Sequence, residues 1–322
     1  MFLNIQIEYL LWLQNFRELT HGFFDPFFLA VTHFGEFLIF TAFLTLIYWS
    51  LNKKTGEFLI ITNVFSILCN QFIKMTACIE RPWILSDKIK PVSDAIPKAT
   101  GYSFPSGHTA RAMSVWGGLA VWFWDKKIIR YSMFLLILLI AFSRNYLVVH
   151  TLQDVVVSFV IGLILLYFLK KIFDKIDGDN NIDLKIFLFG IIAAAIMTST
   201  VVFKYYHFDS QKISSYIYQL PSFCFHCGYI IGTFLGWFAC RKLITFETEN
   251  ISVLTKILRF VFGYSFLLIL LYQVVNIFIS DFGKCRGNFI GAFVIGLFIT
   301  FLYPWVFTRV ERFLKNNKSL KE

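Results

Sequence analysis

The chain has 322 residues, of which 57% are hydrophobic and only 16% carry a charge. Soluble domains usually contain about a quarter charged residues, so the polar side chains here are too few to cover a soluble particle of this size. The formal net charge is +10, but Lys and Arg fall between apolar runs, where they fix membrane orientation. We therefore do not expect nucleic acid as a partner.

The first apolar run, from about Phe2 to Phe16, is too short to cross a bilayer, which takes about 20 residues. It has neither the basic start nor the small-residue cleavage site of a signal peptide. We expect this segment to form an N-terminal helix that lies in the membrane interface.

The apolar runs that follow predict an all-α membrane protein, a polytopic bundle of about nine transmembrane helices. The predicted spans are about 27–49, 56–80, 108–124, 128–147, 152–173, 184–203, 221–240, 257–279 and 289–307. Residues 1–175 are expected to form a catalytic core with the interfacial helix and five spans, and residues 176–322 to add the remaining four spans.

Basic residues are concentrated in alternate connections, as expected when cytoplasmic loops retain positive charge. They are Lys53 and Lys54; Lys126, Lys127 and Arg130; Lys170, Lys171 and Lys175; Arg241, Lys242 and Lys256; and Arg309, Arg312, Lys315, Lys318 and Lys321 in the tail. With nine spans, all of these lie on one side, which predicts a cytoplasmic C-terminus and an external N-terminus. The longest outer connection, about 82–107, then joins the second and third spans.

Two cations lie near the outer end of the second span. Lys74 and Arg81 are seven residues apart, about two helical turns, and are therefore expected on one helical face. Pro82 is expected to end the helix. Charged side chains inside membrane spans are costly and usually functional, and two cations suit a dianion such as a phosphate ester.

The segment Phe104-Pro105-Ser106-Gly107-His108 opens the third span. The first turn of a helix presents unpaired N–H groups that bind anions. Ser106 suits the N-cap position or a hydroxyl donor to the anion, and Gly107 permits close approach of the backbone to a ligand. His108 can give or take a proton near neutral pH.

A third group of residues lies between the fourth and fifth spans. Ser143-Arg144 ends the fourth span, and the Arg144 guanidinium can bind two phosphate oxygens at once. His150 and Asp154 are four residues apart, so the carboxylate is expected one turn from the imidazole. A carboxylate that holds one ring nitrogen orients the other, as a histidine nucleophile requires.

These residues carry a resemblance to a known family. The order and spacing Lys74-x6-Arg81-Pro82, Pro105-Ser106-Gly107-His108 and Ser143-Arg144-x5-His150-x3-Asp154 resemble the three-part signature of the type 2 phosphatidic acid phosphatase superfamily. The motif region covers about a quarter of the chain.

The resemblance implies an integral membrane lipid phosphatase. It implies that His150 attacks phosphorus and forms a phosphohistidine, that Asp154 orients His150, and that His108 protonates the leaving group. It implies further that the phosphoryl oxygens are held by Lys74, Arg81, Ser106, Gly107 and Arg144. No metal and no cofactor are expected. The positive-charge pattern predicts an active site on the extracytoplasmic side, and we expect the plasma membrane as the location.

Three functions remain open at this stage. The first is hydrolysis of a lipid phosphate or pyrophosphate, and the second is transfer of the phosphoryl group to an acceptor other than water. A soluble substrate such as a sugar phosphate is also possible. A transporter without catalysis is disfavoured, because binding alone needs neither a nucleophile nor its orienting acid.

Other polar groups have simpler interpretations. His33 and Glu36 in the first span either line the pocket or pack between helices. Cys224 and Cys227 frame His226, but a zinc site needs more ligands. Residues 284–286 form a short basic outer loop, for which solvation is the default interpretation.

Overall fold

The computed structural model describes residues 2–178, 181–207 and 210–319, with side chains described for 4–178, 181–207, 213–314 and 316–317. The side chains of Lys315, Lys318 and Lys321 in the predicted basic tail therefore lie outside the described part. Within the described part, the chain is helical and contains no strand, in agreement with the predicted all-α class.

The helices follow one another through the whole described chain. They are α1 Phe2–Leu19, α2 Asp25–His33, α3 Phe37–Leu46, α4 Lys53–Ala77, α5 Pro82–Leu85, α6 Gly107–Ala112, α7 Gly118–Trp122, α8 Lys127–Tyr146, α9 Leu152–Phe173, α10 Ile182–Tyr206, α11 Ser210–Leu243, α12 Val253–Ile269, α13 Val275–Phe282, α14 Lys284–Leu297 and α15 Tyr303–Ser319. Single π-helical turns at Ile47–Leu51, Met113–Gly117, Leu270–Val274 and Phe298–Leu302 continue α3, α6, α12 and α14.

The number of helices able to cross a membrane is lower than predicted. Among the described residues, seven helices are long and apolar enough, or eight if the bent pair α2 and α3 counts as one span. The third predicted span accounts for the difference, because it consists of consecutive pieces of only 6, 5 and 5 residues. At about 1.5 Å per residue this gives roughly 24 Å, less than the ~30 Å hydrocarbon core.

The first predicted span is broken, which corrects the expectation of a continuous helix over 27–49. Helices α2 and α3 are bent by 43° at the break between them. A break frees carbonyl groups that need new donors inside a membrane. Trp116 Nε1 donates to the Phe34 carbonyl at 3.0 Å, and Arg111 Nε donates to the Gly35 carbonyl at 2.8 Å. The break is therefore bonded to α6 and the turn after it.

The end of the second span also differs from the prediction. Helix α4 ends at Ala77, before Pro82, and Cys78 adopts a φ of +51°. Arg81 is extended, and Pro82 opens the short helix α5, a position that tolerates proline because the N–H is not needed there. Lys74 and Arg81 therefore do not share one helical face, and the interpretation from helical spacing is wrong.

The described residues group into two compact units. The first comprises Met1–Thr41, Phe65–Lys171 and Thr200–Gln219, and the second comprises Ala42–Val64, Ile172–Ser199 and Leu220–Glu322. All residues of the three motifs belong to the first unit. The division predicted from the sequence, 1–175 and 176–322, stays a prediction.

In the first unit, apolar packing orders the long connection 82–107. Its Val92, Ala95 and Ala99 are buried together with the last residue of α8, Tyr146, and with Leu147 and Val149 of the turn that follows. The Val92 N–H donates to the Leu147 carbonyl at 3.2 Å. Helix α1 adds Leu10 and Leu13, which pack with Ile89 and Val148. The connection therefore fixes the turn that leads into α9.

In the second unit, close packing of α11 against α14 depends on glycine. A Cβ atom added at Gly228 would overlap the carbonyl oxygen of Phe289, and one added at Gly232 would overlap that of Phe293. The weak sequence pattern of glycines at intervals of four thus marks a surface where two backbones touch, as is common between membrane helices.

We predict that Gly232→Leu destabilises the second unit by about 1–3 kcal/mol, because the side chain must push the two backbones apart. The thermal unfolding midpoint in detergent measures this effect. Ala195→Leu is the matched control, since Ala195 lies exposed on α10. Equal midpoints for the two variants would contradict the close packing.

Candidate active site

His150 and Asp154 form a buried pair at the start of α9. His150 lies in the turn between α8 and α9, 1% exposed, and Asp154 is 2% exposed in the first turn of α9. Their Nδ1 and Oδ2 atoms are 3.0 Å apart. The carboxylate therefore accepts a hydrogen bond from Nδ1–H and fixes the orientation of the ring.

The same carboxylate oxygen is held by two further donors. Ser103 Oγ donates to Asp154 Oδ2 at 2.5 Å, and the Thr151 N–H donates to it at 3.0 Å. Ser103 in turn donates its backbone N–H to the Ile79 carbonyl at 2.8 Å. Ser103 thus ties the connection before the third span to the His150–Asp154 pair.

Arg81 contacts the other ring nitrogen of His150. Its Nη1 lies 3.0 Å from His150 Nε2 and 2.9 Å from the Val149 carbonyl. A guanidinium only donates hydrogen bonds, so Nε2 is the acceptor and carries the lone pair. This tautomer, with the proton on Nδ1, is assigned from the hydrogen-bond network.

The surroundings of His150 favour its neutral form. Burial lowers the pKa of His150 well below its usual range, and the positive charges of Arg81, Lys74 and Arg144 lower it further. A hydrogen bond involving the Ser103 backbone acts in the opposite direction. His150 therefore presents an unprotonated nitrogen at neutral pH.

Backbone carbonyls of the 100–102 segment hold the two cations of the first motif. Lys74 Nζ donates to the Tyr102 carbonyl at 2.5 Å. Arg81 donates from Nε to the Gly101 carbonyl at 2.9 Å and from Nη2 to the Thr100 carbonyl at 2.6 Å. The structure thus brings Lys74 and Arg81 together through a loop rather than through a shared helical face.

Ser106 caps the helix that carries the second motif. Its Oγ accepts from the Thr109 N–H at 3.4 Å, and its own N–H donates to the Asp154 carbonyl at 3.0 Å. A Cβ added at Gly107 would stand 3.9 Å from Arg111 Nη2 and from Asn70 Oδ1. The backbone at Gly107 therefore faces polar groups, close to the His150–Asp154 pair.

His108 and Arg144 hold buried donors that are not used within the described part of the chain. His108 Nε2 and Arg144 Nε and Nη2 are buried and make no hydrogen bond there. Arg144 is anchored through Nη1, which donates to Thr32 Oγ1 at 2.5 Å. Buried polar atoms without partners are rare, and a catalytic role, a water molecule or a bound ion can account for them. These atoms are available to phosphoryl oxygens.

Several residues at the site were not predicted from the sequence. They are Thr32, Gly35, Asn70, Ser103 and Arg111. A charge inside an apolar run is itself a signal of function, and that rule could have identified Arg111. No signal marks Thr32 or Gly35, because their contacts depend on the break in the first span.

The other polar groups singled out from the sequence, His33, Glu36 and Cys227, make contacts outside the three motifs. Glu36 accepts from Lys98 Nζ at 2.6 Å and pairs with His33 Nδ1 at 2.8 Å, beside the break. Cys227 contacts Thr198 Oγ1 at 3.7 Å. Among the described residues, no cluster of three or more His, Cys, Asp and Glu side chains could hold a metal ion. The expectation of a metal-free reaction stays a prediction.

Two family models match the chain. Residues 56–178 match the PAP2 superfamily, and residues 225–316 match the transmembrane extension of PAP2 superfamily phosphatases. The first match contains all three motifs, and it confirms the resemblance found from their spacing. The second covers part of the helices that follow the motifs. No solved structure matches the chain.

Two curated relatives are similar to parts of the chain. Lipid phosphate phosphatase delta of Arabidopsis thaliana is 28% identical over 171 residues, which cover 50% of this chain and 41% of the relative. Phosphatidylglycerophosphatase B of Bacillus subtilis (strain 168) is 31% identical over 133 residues, which cover 38% and 61%. The chain thus spans less than two thirds of either relative.

We predict that Arg81→Gln raises the pKa of His150 towards its usual range. The substitution removes a neighbouring positive charge and a donor to Nε2, both of which favour the neutral ring. Nitrogen-15 NMR of labelled histidine in detergent measures the titration. Arg130→Gln, which removes a half-buried cation stacked on Trp124 outside the motifs, is expected to leave the pKa of His150 unchanged. An unaltered pKa in Arg81→Gln would contradict the assigned contact.

Proposed function

We propose that this member of the PAP2 superfamily is a membrane phosphatase that hydrolyses a lipid phosphate monoester or diphosphate through a phosphohistidine at His150. One observation carries the proposal: the unprotonated Nε2 of His150, fixed through Nδ1 by Asp154, lies among buried cations. A binding protein needs no such oriented lone pair, whereas a nucleophile does.

In the first step, His150 Nε2 attacks phosphorus and the bond from phosphorus to the leaving oxygen breaks. Asp154 stabilises the positive charge that develops on the ring, and Ser103 holds the carboxylate in place. Arg81 donates to Nε2 in the structure, so attack requires that this N–H turn to a phosphoryl oxygen. Arg81 would then pass from holding the nucleophile to stabilising the transferred group.

The transferred phosphoryl group is held by donors that already point into the site. Arg144 offers Nε and Nη2, a pair suited to two oxygens, while Lys74 adds a second positive charge. Ser106 and Gly107 supply the hydroxyl group and the backbone of the second motif. Because these groups are held before substrate binds, they stabilise the transition state without reorganisation. On this account, charge stabilisation requires no metal ion.

His108 is proposed to act on the leaving group and then on water. It gives a proton to the departing oxygen, and afterwards takes one from the water that attacks the phosphohistidine. The second step forms a phosphorus–oxygen bond, breaks the phosphorus–nitrogen bond and releases inorganic phosphate. The buried and unpartnered Nε2 atom of His108 supports this role.

A lipid substrate is supported by the setting and by the relatives. The motif residues lie at the ends of helices in a multi-pass membrane protein, where a lipid headgroup can reach them. Both relatives are named for phosphatase activity on lipid phosphates. Counting the short segment 107–122 as a crossing keeps all the basic connections on one side of the membrane, and this supports an extracytoplasmic site.

We predict that the purified protein releases phosphate from at least one lipid in a panel of phosphates and diphosphates, with chelator present. His150→Gln is expected to lower the rate by about 10³-fold or more, because the nucleophile is lost. Colorimetric phosphate release from mixed micelles provides the measurement.

The Arg130→Gln variant serves as the control for expression and folding, since Arg130 is half-buried and lies outside the motifs. Full dependence on an added divalent metal would contradict the metal-free part of the proposal. Release by His150→Gln at the wild-type rate would contradict the assignment of the nucleophile.

A further inference from the structure

Arg111 is a cation beside the candidate site that the three motifs do not contain. It follows His108 by three residues, so both side chains belong to one side of the same helical turn. Its Nη2 and Nη1 atoms are 3.9 and 4.0 Å from the position that a Cβ atom on Gly107 would occupy. The guanidinium group therefore lies next to the backbone of the second motif.

The break in the first span anchors the Arg111 side chain through a hydrogen bond and a ring contact. Arg111 Nε donates to the Gly35 carbonyl at 2.8 Å, and the guanidinium carbon lies 6.0 Å from the centre of the Phe40 ring. These contacts use Nε and one face of the group, while both terminal nitrogens lie within 4.0 Å of the Cβ position at Gly107. Arg144 is anchored similarly, through its Nη1 atom, which donates to Thr32 Oγ1.

No carboxylate among the described residues lies within ion-pair distance of Arg111. Glu36, the nearby acid on the same break, already accepts from Lys98 at 2.6 Å and pairs with His33 at 2.8 Å. Glu36 acts on Arg111 electrostatically but does not form an ion pair with it. A half-buried guanidinium group without an ion-paired carboxylate is costly unless an anion binds to it. Arg111 is thus set to receive negative charge from a ligand.

His108 packs against the same break that anchors Arg111 and Arg144. A Cβ atom added at Gly35 would stand 3.1 Å from His108 Cδ2, so the break packs directly against this histidine. His108 Nε2 and Arg144 Nε and Nη2 are buried without partners in the described chain. His108 thus carries an unpartnered buried nitrogen and interacts electrostatically with both Arg144 and Arg111.

We propose that Arg111 binds the phosphate that stays on the lipid when a lipid diphosphate is cleaved, and that it makes diphosphates the preferred substrates. The inference rests on the proposed function. A monoester leaves as a neutral alcohol once His108 has protonated it, and so needs no cation on that side. A diphosphate leaves as a lipid phosphate whose negative charge must be stabilised.

The reaction balances with groups already described. His150 Nε2 attacks the terminal phosphorus, the bond to the bridging oxygen breaks, and the bridging oxygen departs on the lipid phosphate beside His108 and Arg111. Water then releases the terminal phosphate from His150. The products are a lipid phosphate and inorganic phosphate.

The test compares farnesyl diphosphate with farnesyl phosphate, which share one chain and differ by one phosphoryl group. We expect Arg111→Gln to lower kcat/KM for the diphosphate by about 10- to 100-fold, the effect of one charge-assisted hydrogen bond. We expect the monophosphate to change by less than about 3-fold, and Arg111→Lys to recover part of the loss. Lys88→Gln, which removes an exposed cation from the connection 82–107, controls for general attraction of anions.

An equal loss with both substrates would overturn the proposal, because it would assign Arg111 a structural role. A second measurement needs no variant: a farnesyl methylene-bisphosphonate should inhibit the wild type at least about 10-fold more tightly than the farnesyl phosphonate. Equal inhibition would also overturn the proposal. Failure of the proposed function has a different signature, since the wild type would then hydrolyse neither substrate.

Discussion

The site depends on keeping several cations buried around a single buried carboxylate. Lys74 is 8% exposed, Arg81 4% and Arg144 0%, while the carboxylate among them is Asp154. Removing charges from water is expensive unless other groups solvate them. Here backbone carbonyls of residues 100–102 and 149 and the Thr32 hydroxyl group do so, while Arg144 Nε and Nη2 are buried without a partner among the described residues.

This constraint explains why segments distant in sequence enclose the motifs. The connection 82–107 supplies carbonyls to Lys74 and Arg81, and apolar packing holds it against the turn before His150. The break in the first span supplies a hydroxyl group to Arg144 and a carbonyl to Arg111. Both segments are irregular backbone, which a membrane protein tolerates where it is buried in protein or lines a site.

The sequence predicted one contact of the candidate site and missed others. Fixed spacing and helix periodicity identified the pair His150 and Asp154, because four residues at a helix start place two side chains one turn apart. The same reasoning failed for Lys74 and Arg81, because Cys78 at positive φ ends the helix between them. Hydropathy located the long spans but could not show that the third is short.

Tertiary contacts account for what the sequence did not reveal. Ser103 contacts Asp154 only because the connection folds back onto α9, and Thr32 and Gly35 reach the site only because the first span is broken. Such contacts join residues that are distant in sequence and leave no periodic pattern. Arg111 was visible as a charge in an apolar run, but its role depends on the break that anchors it.

The central claim is that His150 forms a covalent bond to phosphorus. Rapid acid-free quenching of the protein with a ³²P-labelled lipid phosphate, followed by peptide mapping under alkaline conditions, tests it directly. The account predicts an alkali-stable, acid-labile phosphopeptide that contains His150, and no label in His150→Gln. Label on another residue, or phosphate release without any labelled protein during turnover, would contradict the account.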